Sequence, residues 1–186
     1  MAGAMLYVEA PAYGAGLKQF SVEFPRNAAG GPGTNGESAD GQTSTATVEI
    51  NRTNLTSVIF SFTFTDNYRF AAISPAGATF RVTSPEGNTS ELKVPASGPK
   101  TANIQFMSLN VPPPAVTLTA GGQTEAETLA ASRYPATENG SGSWTVEVVS
   151  EREFATPIHP GGGSISWTMG SRVESYKVEV TELHIL

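Results

Sequence analysis

The stretch that decides the fold is "SVIFSFTFTDNYRF", residues 57–70. In it, Phe60, Phe62 and Phe64 alternate with serine and threonine, so an extended strand places all three rings on one face. Three rings in water would form an apolar patch that soluble monomers seldom carry. We therefore expect a strand whose phenylalanine face is buried between two layers, each ring contributing about 2 kcal/mol.

The same alternation recurs along the chain. Candidate strands cover residues 6–10, 18–24, 45–50, 57–65, 78–83, 91–94, 103–109, 115–120, 143–149, 164–169 and 175–183. Most combine one apolar face with one polar face, which is typical of antiparallel sheets. Turn motifs such as "SPAG" (74–77) and "SPEG" (84–87) separate them. The sequence predicts an all-β fold, an antiparallel two-sheet sandwich of jelly-roll type, with at most one short helix at residues 124–134.

The domain organisation follows from length and composition. The 186 residues suit a single domain, residues 1–186. We interpret residues 1–5, "MAGAM", as a cloning remnant ahead of a truncated chain, from which a signal or anchor would have been removed. Residues 26–44 are Gly-rich and contain no aromatic or β-branched aliphatic residue, so a long flexible loop is expected there.

Composition argues against several classes of function. The chain has no cysteine, so disulfides, thiolate zinc sites and a cysteine nucleophile are ruled out. The formal net charge is -6, and no cluster of Lys and Arg could neutralise a row of phosphates, so nucleic-acid binding is not expected. No apolar run approaches the roughly 18 residues of a membrane span.

The sequence contains no complete catalytic motif. The string "GPGTNG" (31–36) is not followed by a helical pattern, as dinucleotide binding requires. His159 and His184 form no metal-binding motif, and the only aspartates are Asp40 and Asp66. Glu147 lies at a strand position opposite the apolar face. We expect no enzyme activity, and no catalytic, cofactor-binding or metal-binding residues.

Aromatic residues raise the alternative of carbohydrate binding. Trp144 and Trp167 share a face with aliphatic residues in their strands, which favours the core over a sugar-binding platform. Tyr13, Tyr68 and Tyr134 fall on predicted loops and are the candidate ligand-binding aromatics.

Four sequons suggest an exported protein. Asn51, Asn54, Asn88 and Asn139 each begin an Asn-X-Ser/Thr motif and are candidate glycosylation sites. This is more than the Asn, Ser and Thr content alone predicts, and it favours an extracellular or cell-surface location.

A family resemblance covers roughly residues 56–181. "FTFTDNYRF", "ATFRVTSPEGNTSEL", "GSGSWTVEVV", "GGSISWTM" and "SYKVEV" resemble, in order and spacing, the processing domain of proprotein convertases. They are still more similar to archaeal surface β-sandwich modules. The resemblance implies a jelly-roll-like sandwich and says almost nothing about activity. Residues 1–55 have no recognised counterpart in those modules, and the acidic calcium positions that some convertase modules carry cannot be assigned in this sequence.

The two ends suggest how the protein could assemble. "GLKQFSVEF" (16–24) and "SYKVEVTELHIL" (175–186) either pair within their own sheets or are donated to another subunit. The sequence as a whole predicts an extracellular structural or adhesive module, such as a subunit of a cell-surface filament or assembly formed by strand exchange. Protein partners or self-assembly and glycan contacts are expected, and no cofactor is. The alternative is a carbohydrate-binding module of a secreted protein.

Overall fold

A computed structural model describes residues 16–69, 71–72, 74–152 and 162–184. Over these ranges the chain forms twelve strands and one helix. The elements are β1 Lys18–Glu23, β2 Arg26–Gly30, β3 Thr34–Ala39, β4 Thr43–Ile50, β5 Leu55–Asp66, β6 Ala76–Thr83, β7 Thr89–Val94, β8 Thr101–Met107, β9 Val116–Ala120, α1 Gln123–Arg133, β10 Gly142–Arg152, β11 Ser164–Tyr176 and β12 Glu179–Glu182. The predicted strand at 6–10 and the interpretation of residues 1–5 lie outside the described residues.

The chain divides into two units. The larger consists of Pro25–Pro113 and Ala136–Lys177, and the smaller of Met1–Phe24, Pro114–Pro135 and Val178–Leu186. The prediction of one domain over residues 1–186 stays a prediction.

The larger unit contains two antiparallel sheets. One has the order β4-β10-β6-β7, and the other has the order β2-β11-β5-β8, with β3 also paired to β11. When β3 to β8, β10 and β11 are numbered one to eight along the chain, the sheets have the orders 1-8-3-6 and 2-7-4-5. This strand order is that of a jelly roll. The predicted all-β, antiparallel sandwich with one helix is confirmed.

The two sheets enclose an aromatic core. Phe60, Phe62 and Phe64 are buried, with exposed fractions of 0%, 1% and 4%. The Phe62 ring lies 4.6 Å from that of Phe80 in the opposite sheet, and the Phe60 ring lies 5.2 Å from that of Trp144. The phenylalanine face of β5 therefore packs between two layers, as its spacing predicts. The core position of Trp144 and Trp167 is confirmed, because both are essentially unexposed.

The structure corrects the prediction of a flexible loop at residues 26–44. Two strands lie there, β2 and β3, and both pair with β11. Gly36 of β3 lets the backbone approach β11 closely, because a Cβ on Gly36 would lie 2.6 Å from the Trp167 ring. The stabilising apolar surface is thus supplied by the neighbouring strand and not by residues 26–44 themselves.

The strand boundaries that differ most from prediction are those of β11 and β12. β11 continues from the predicted residues 164–169 to Tyr176, because Val173 keeps the inward alternation after Gly170. The predicted strand at 175–183 is divided between the end of β11 and β12.

The smaller unit is a three-stranded antiparallel sheet, β12-β1-β9, with the helix α1. Phe20 of β1 packs with Ala120 and Ala126, the latter on the helix. β1 pairs with β12 on one side and with β9 on the other. The two ends, as far as they are described, therefore pair within their own sheet. No helix in the described part of the chain is long and apolar enough to span a membrane.

The contact between Gly36 and Trp167 gives a first prediction. Gly36→Ala should destabilise the protein by about 1–3 kcal/mol, because the added methyl group forces the indole or β3 to move. Gly30→Ala is the matched control, since a Cβ at Gly30 meets nothing within 4 Å. Chemical denaturation measures both variants. Equal stability of the two alanine variants would contradict this explanation of the Gly-rich strands.

Candidate functional site

The outer face of the sheet β2-β11-β5-β8 is exposed and carries no charge over its central rows. We call it the uncharged face: Ser61, Thr63, Thr65, Thr101, Asn103, Gln105, Ser166 and Thr168. Strand register aligns these residues across the sheet, with Thr63 directly between Thr168 and Thr101. The Thr63 and Thr168 hydroxyls are hydrogen bonded at 2.6 Å. The nearest charged residues on this side, Glu37 and Arg172, lie at its margins.

The other sheet presents a different outer face. There Arg81 forms ion pairs with Glu91 at 2.7 Å and with Glu147 at 3.4 Å, and Lys93 pairs with Glu151. The hydrogen bond from Lys93 lowers the pKa of the Glu151 carboxyl. Glu147 thus lies on the solvated outer face, as predicted. Covering this face with a partner would require several charges to be desolvated.

The chemistry of the uncharged face suits contact with another protein. Hydroxyl and amide groups can donate and accept hydrogen bonds, and burying them costs less than burying ions. Two copies of a chain with net charge -6 repel each other at long range, so contact is easiest where neither surface is charged. This face is not among the sites predicted from the sequence, although the Ser/Thr positions between the three phenylalanines are its signal.

The predicted ligand aromatics are not brought together into a recognisable platform. Tyr68 is half-buried, and its ring lies 4.3 Å from the Arg152 guanidinium. Tyr134 is half-buried, and its ring packs edge-on against Phe24 at 4.9 Å. Tyr13 lies outside the described residues. Carbohydrate binding through these rings stays a prediction.

The four sequons differ in exposure. Asn51, Asn88 and Asn139 are exposed, although the Asn139 amide also donates a hydrogen bond to the Leu109 carbonyl. Asn54 is only 7% exposed. Glycosylation of any of the four stays a prediction.

Asn54 has a structural role in its turn. Its φ is 55°, in the left-handed region that Asn adopts more readily than most residues. Its Oδ1 accepts hydrogen bonds from the Thr137 backbone N–H at 2.9 Å and from the Thr137 hydroxyl at 3.2 Å. The side chain therefore joins the start of β5 to the segment that precedes β10.

A buried ion pair closes the end of β5. Arg152 donates to both carboxylate oxygens of Asp66, at 2.8 and 3.2 Å, and to the Ser74 carbonyl at 2.7 Å. Both side chains are less than a tenth exposed. Burial alone raises the pKa of Asp66, but hydrogen bonds from Arg152 and from the Tyr68 and Ala76 backbone N–H groups outweigh it, so the pKa is lowered.

Metal sites and ligand pockets each require a particular group of side chains. Across the described ranges, no three His, Asp or Glu side chains are grouped so that they could hold a metal ion. His184 is exposed, and His159 lies outside those ranges. A groove of about 220 Å3 lies beside Asn51, with Ile50 and Val173 in its lining and Glu49 and Arg52 among its charged residues. Its lining includes no aromatic ring, which is the group expected for sugar stacking.

Comparisons with known proteins give little further guidance. No family model matches the sequence, and no curated protein matches it. A chain from the structure of Desmodium yellow mottle tymovirus is 9% identical, with a TM-score of 0.29, and the match covers 100% of this protein and 98% of that chain. A chain from infectious bursal disease virus, Gt strain, is 15% identical with a TM-score of 0.22, and the match covers 86% of this protein and 42% of that chain. Scores this low carry no argument about fold or function.

The comparisons do not support the specific resemblance to convertase processing domains or archaeal modules. The β-sandwich that the resemblance implied is nevertheless what the strand order shows.

The buried ion pair generates a stability prediction. Arg152→Ala should cost about 3–5 kcal/mol, because it leaves the Asp66 carboxylate buried without its partner. For a chain of this size, that corresponds to a fall in Tm of roughly 10 °C. Arg81→Ala removes an exposed ion-pairing arginine and should leave the Tm nearly unchanged. Equal effects in the two variants would contradict the structural importance of the pair.

The lowered pKa of Asp66 adds a pH dependence. The pair stabilises fully above the ordinary pKa of 3.8, and this contribution is lost as the pH falls through the lower folded value. Asp66→Asn removes the titrating group, so unfolding free energy should fall less steeply below pH 3.8 than in the wild type. Parallel acid limbs for the two proteins would show that Asp66 does not contribute.

Asn54 gives the third stability test. Asn54→Ala should be destabilising, at about 1–2 kcal/mol for the left-handed backbone and about 1–3 kcal/mol for the Thr137 N–H left unpaired. Asn54→Gly tolerates the backbone conformation and should cost less than the alanine variant. Asn88→Ala, in an exposed sequon, is the control and should be close to the wild type. Denaturant unfolding gives the ranking, and a glycine variant less stable than the alanine variant would contradict the backbone argument.

Proposed function

We propose that the protein is a non-enzymatic structural subunit that assembles with further copies in an extracellular or cell-surface structure. The observation that carries this proposal is the uncharged face on one side of a sandwich whose other side is covered by ion pairs. If both outer faces only contacted water, nothing would favour placing the charged residues on one face and leaving the other face without them. The charge distribution of the larger unit supports a contact through the uncharged face.

Protein contact is favoured by the polar groups on this face. Thr63 and Thr168 hold each other's hydroxyls in place across neighbouring strands, so their remaining hydrogen-bonding capacity points outward from a rigid scaffold. Asn67 and Ser166 are similarly joined at 2.6 Å. Groups already fixed in position lose less side-chain entropy when a partner binds.

The uncharged face is too small to form a stable interface by itself. Three strands at ~4.8 Å spacing and about five residues along each give an area on the order of 250 Å2. A stable interface buries about 800 Å2 per partner. The uncharged face must therefore be part of a larger contact surface, which includes a neighbouring edge or a second patch.

An extracellular location is part of the proposal. The exposure of Asn51, Asn88 and Asn139 supports it, since an oligosaccharide requires an accessible amide. Strand exchange through the chain ends receives less support. β1 is the middle strand of its sheet, and releasing it would break two ladders of hydrogen bonds.

Sedimentation velocity over a concentration series tests the proposed function. The mass of the wild-type protein should rise with concentration. Thr63→Lys places a charge at the centre of the uncharged face and should weaken association at least tenfold, because the ammonium must be desolvated on contact. Thr45→Lys makes the same change on the other sheet, opposite Glu147, and should associate like the wild type.

Two results would contradict this proposal. One is a wild-type protein that stays monomeric up to its solubility limit. The other is an equal loss of association in the Thr63 and Thr45 variants, which would show a general effect of charge and not a contact through the uncharged face.

A further inference from the structure

We propose that β8 is the docking edge for a second copy of this chain. Two copies pair their β8 strands antiparallel, so that the two sheets join into one continuous sheet across a two-fold axis. This inference rests on the proposed function, because it assumes that the protein assembles with itself, and it names the edge that contributes to assembly together with the uncharged face.

β8 lies at one end of its sheet, and its only strand partner among the described residues is β5. The Phe64 N–H donates to the Lys100 carbonyl at 3.0 Å, which identifies residues 64 and 100 as a hydrogen-bonded pair. Because such pairs alternate along an antiparallel ladder, residues 102, 104 and 106 direct their backbone groups to β5. The N–H and C=O groups of residues 101, 103, 105 and 107 therefore point away from the sheet.

This edge lacks the features that usually protect an edge strand. Such strands are commonly short, or carry charges, prolines or bulges that discourage pairing. No charged residue occurs between positions 101 and 114, and the seven residues of β8 include no proline. By contrast, β7 carries Glu91 and Lys93, while β12 has only four residues and two glutamates. β8 is the longest uncharged edge strand in the described part of the chain.

Two exposed apolar side chains lie at the end of β8 and in the segment that follows it. Met107 is 60% exposed and Val111, four residues later, is 75% exposed. These are the two largest exposures among the big apolar side chains of the described residues. When two β8 edges pair, the second copy covers the Met107 side chain. In an unpaired edge, that side chain stays exposed to water.

The strand is complementary to itself. In an antiparallel pair, outward-pointing residues must face outward-pointing residues, and the register with full overlap places 101 opposite 107 and 103 opposite 105. All four outward residues of each copy then take part in hydrogen-bonded pairs. Four such pairs, each exchanging two bonds, make eight backbone hydrogen bonds. The two-fold axis passes between the Ile104 residues of the two copies, so each copy makes the same contacts with the other.

Electrostatics favours a second copy at this edge. Each copy carries a net charge of -6, and at β8 the two copies approach without placing any charged strand residue opposite another. The pairing also makes the two uncharged faces continuous, because Thr101, Asn103 and Gln105 belong to both the face and the edge. Edge pairing leaves this joined face exposed, so that it is available for the contact with further copies that is proposed above.

A proline substitution tests the edge directly. Gln105→Pro removes an outward N–H and leaves the ladder to β5 in place, so the Tm should change little while self-association weakens at least tenfold. The matched control is Ala28→Pro in β2. Gly31 donates to the Ser171 carbonyl and Lys177 to the Pro25 carbonyl, so by the same alternation the Ala28 N–H also points outward. Ala28→Pro should associate like the wild type in sedimentation velocity.

A charge exchange covers the case in which Gln105→Pro fails to fold. Asn103→Lys with Gln105→Lys, and Asn103→Glu with Gln105→Glu, each place like charges opposite one another in the proposed register and should be monomeric. Mixing the two double variants should restore association in the form of mixed dimers, because lysines then face glutamates. The lysine pair at Thr45 and Thr47, on the other sheet, should leave wild-type association intact.

The outcomes separate the two proposals. A wild type that associates and is insensitive to every β8 variant, or loses association with Ala28→Pro, overturns pairing through β8 and leaves the structural-subunit proposal standing. Failure of the mixed double variants to associate also overturns it. A wild type that never associates overturns the proposed function itself.

Discussion

The larger unit depends on the burial of one face of β5. Phe60, Phe62 and Phe64 fill the space between the sheets and contact Phe80 and Trp144 from the opposite layer. At about 2 kcal/mol for each buried ring, their contribution is comparable to the whole net stability of many domains. Because side chains alternate with a period of two, fixing these rings inward also fixes Ser61, Thr63 and Thr65 outward. The uncharged face is therefore a direct consequence of the core.

Alternation in the sequence was sufficient to predict most of the strands and the burial of both tryptophans. It failed at residues 26–44, because a glycine makes the close contact with β11 there. Glycine leaves no periodic pattern of apolar residues in the sequence. There the stabilising groups, the Trp167 ring and the backbone of β11, are distant in sequence. The helix was predicted at residues 124–134 and lies at Gln123–Arg133, since its signal is local.

The site was harder to predict than the fold. Asp66 and Arg152 are 86 positions apart, and nothing in either segment indicates that they meet. Likewise, Thr101, Thr63 and Thr168 form one row only because their three strands pair with one another. The sequence of no single strand predicts this row. Local patterns define which way a residue points. They do not define which strand lies beside it, and so a surface assembled from several strands remains hidden until the topology is known.

Under the proposed function, the serine and threonine residues of the uncharged face meet two opposing requirements. An aliphatic face would bind a partner more strongly, but it would also expose a large apolar patch and promote aggregation before assembly. A charged face, like that of Arg81, Glu91 and Glu147, keeps a monomer soluble and makes contact costly. Hydroxyl groups are hydrated in the free chain and can exchange water for a partner at modest cost. Such a surface suits a contact that forms reversibly at first and is then made stable by many copies acting together.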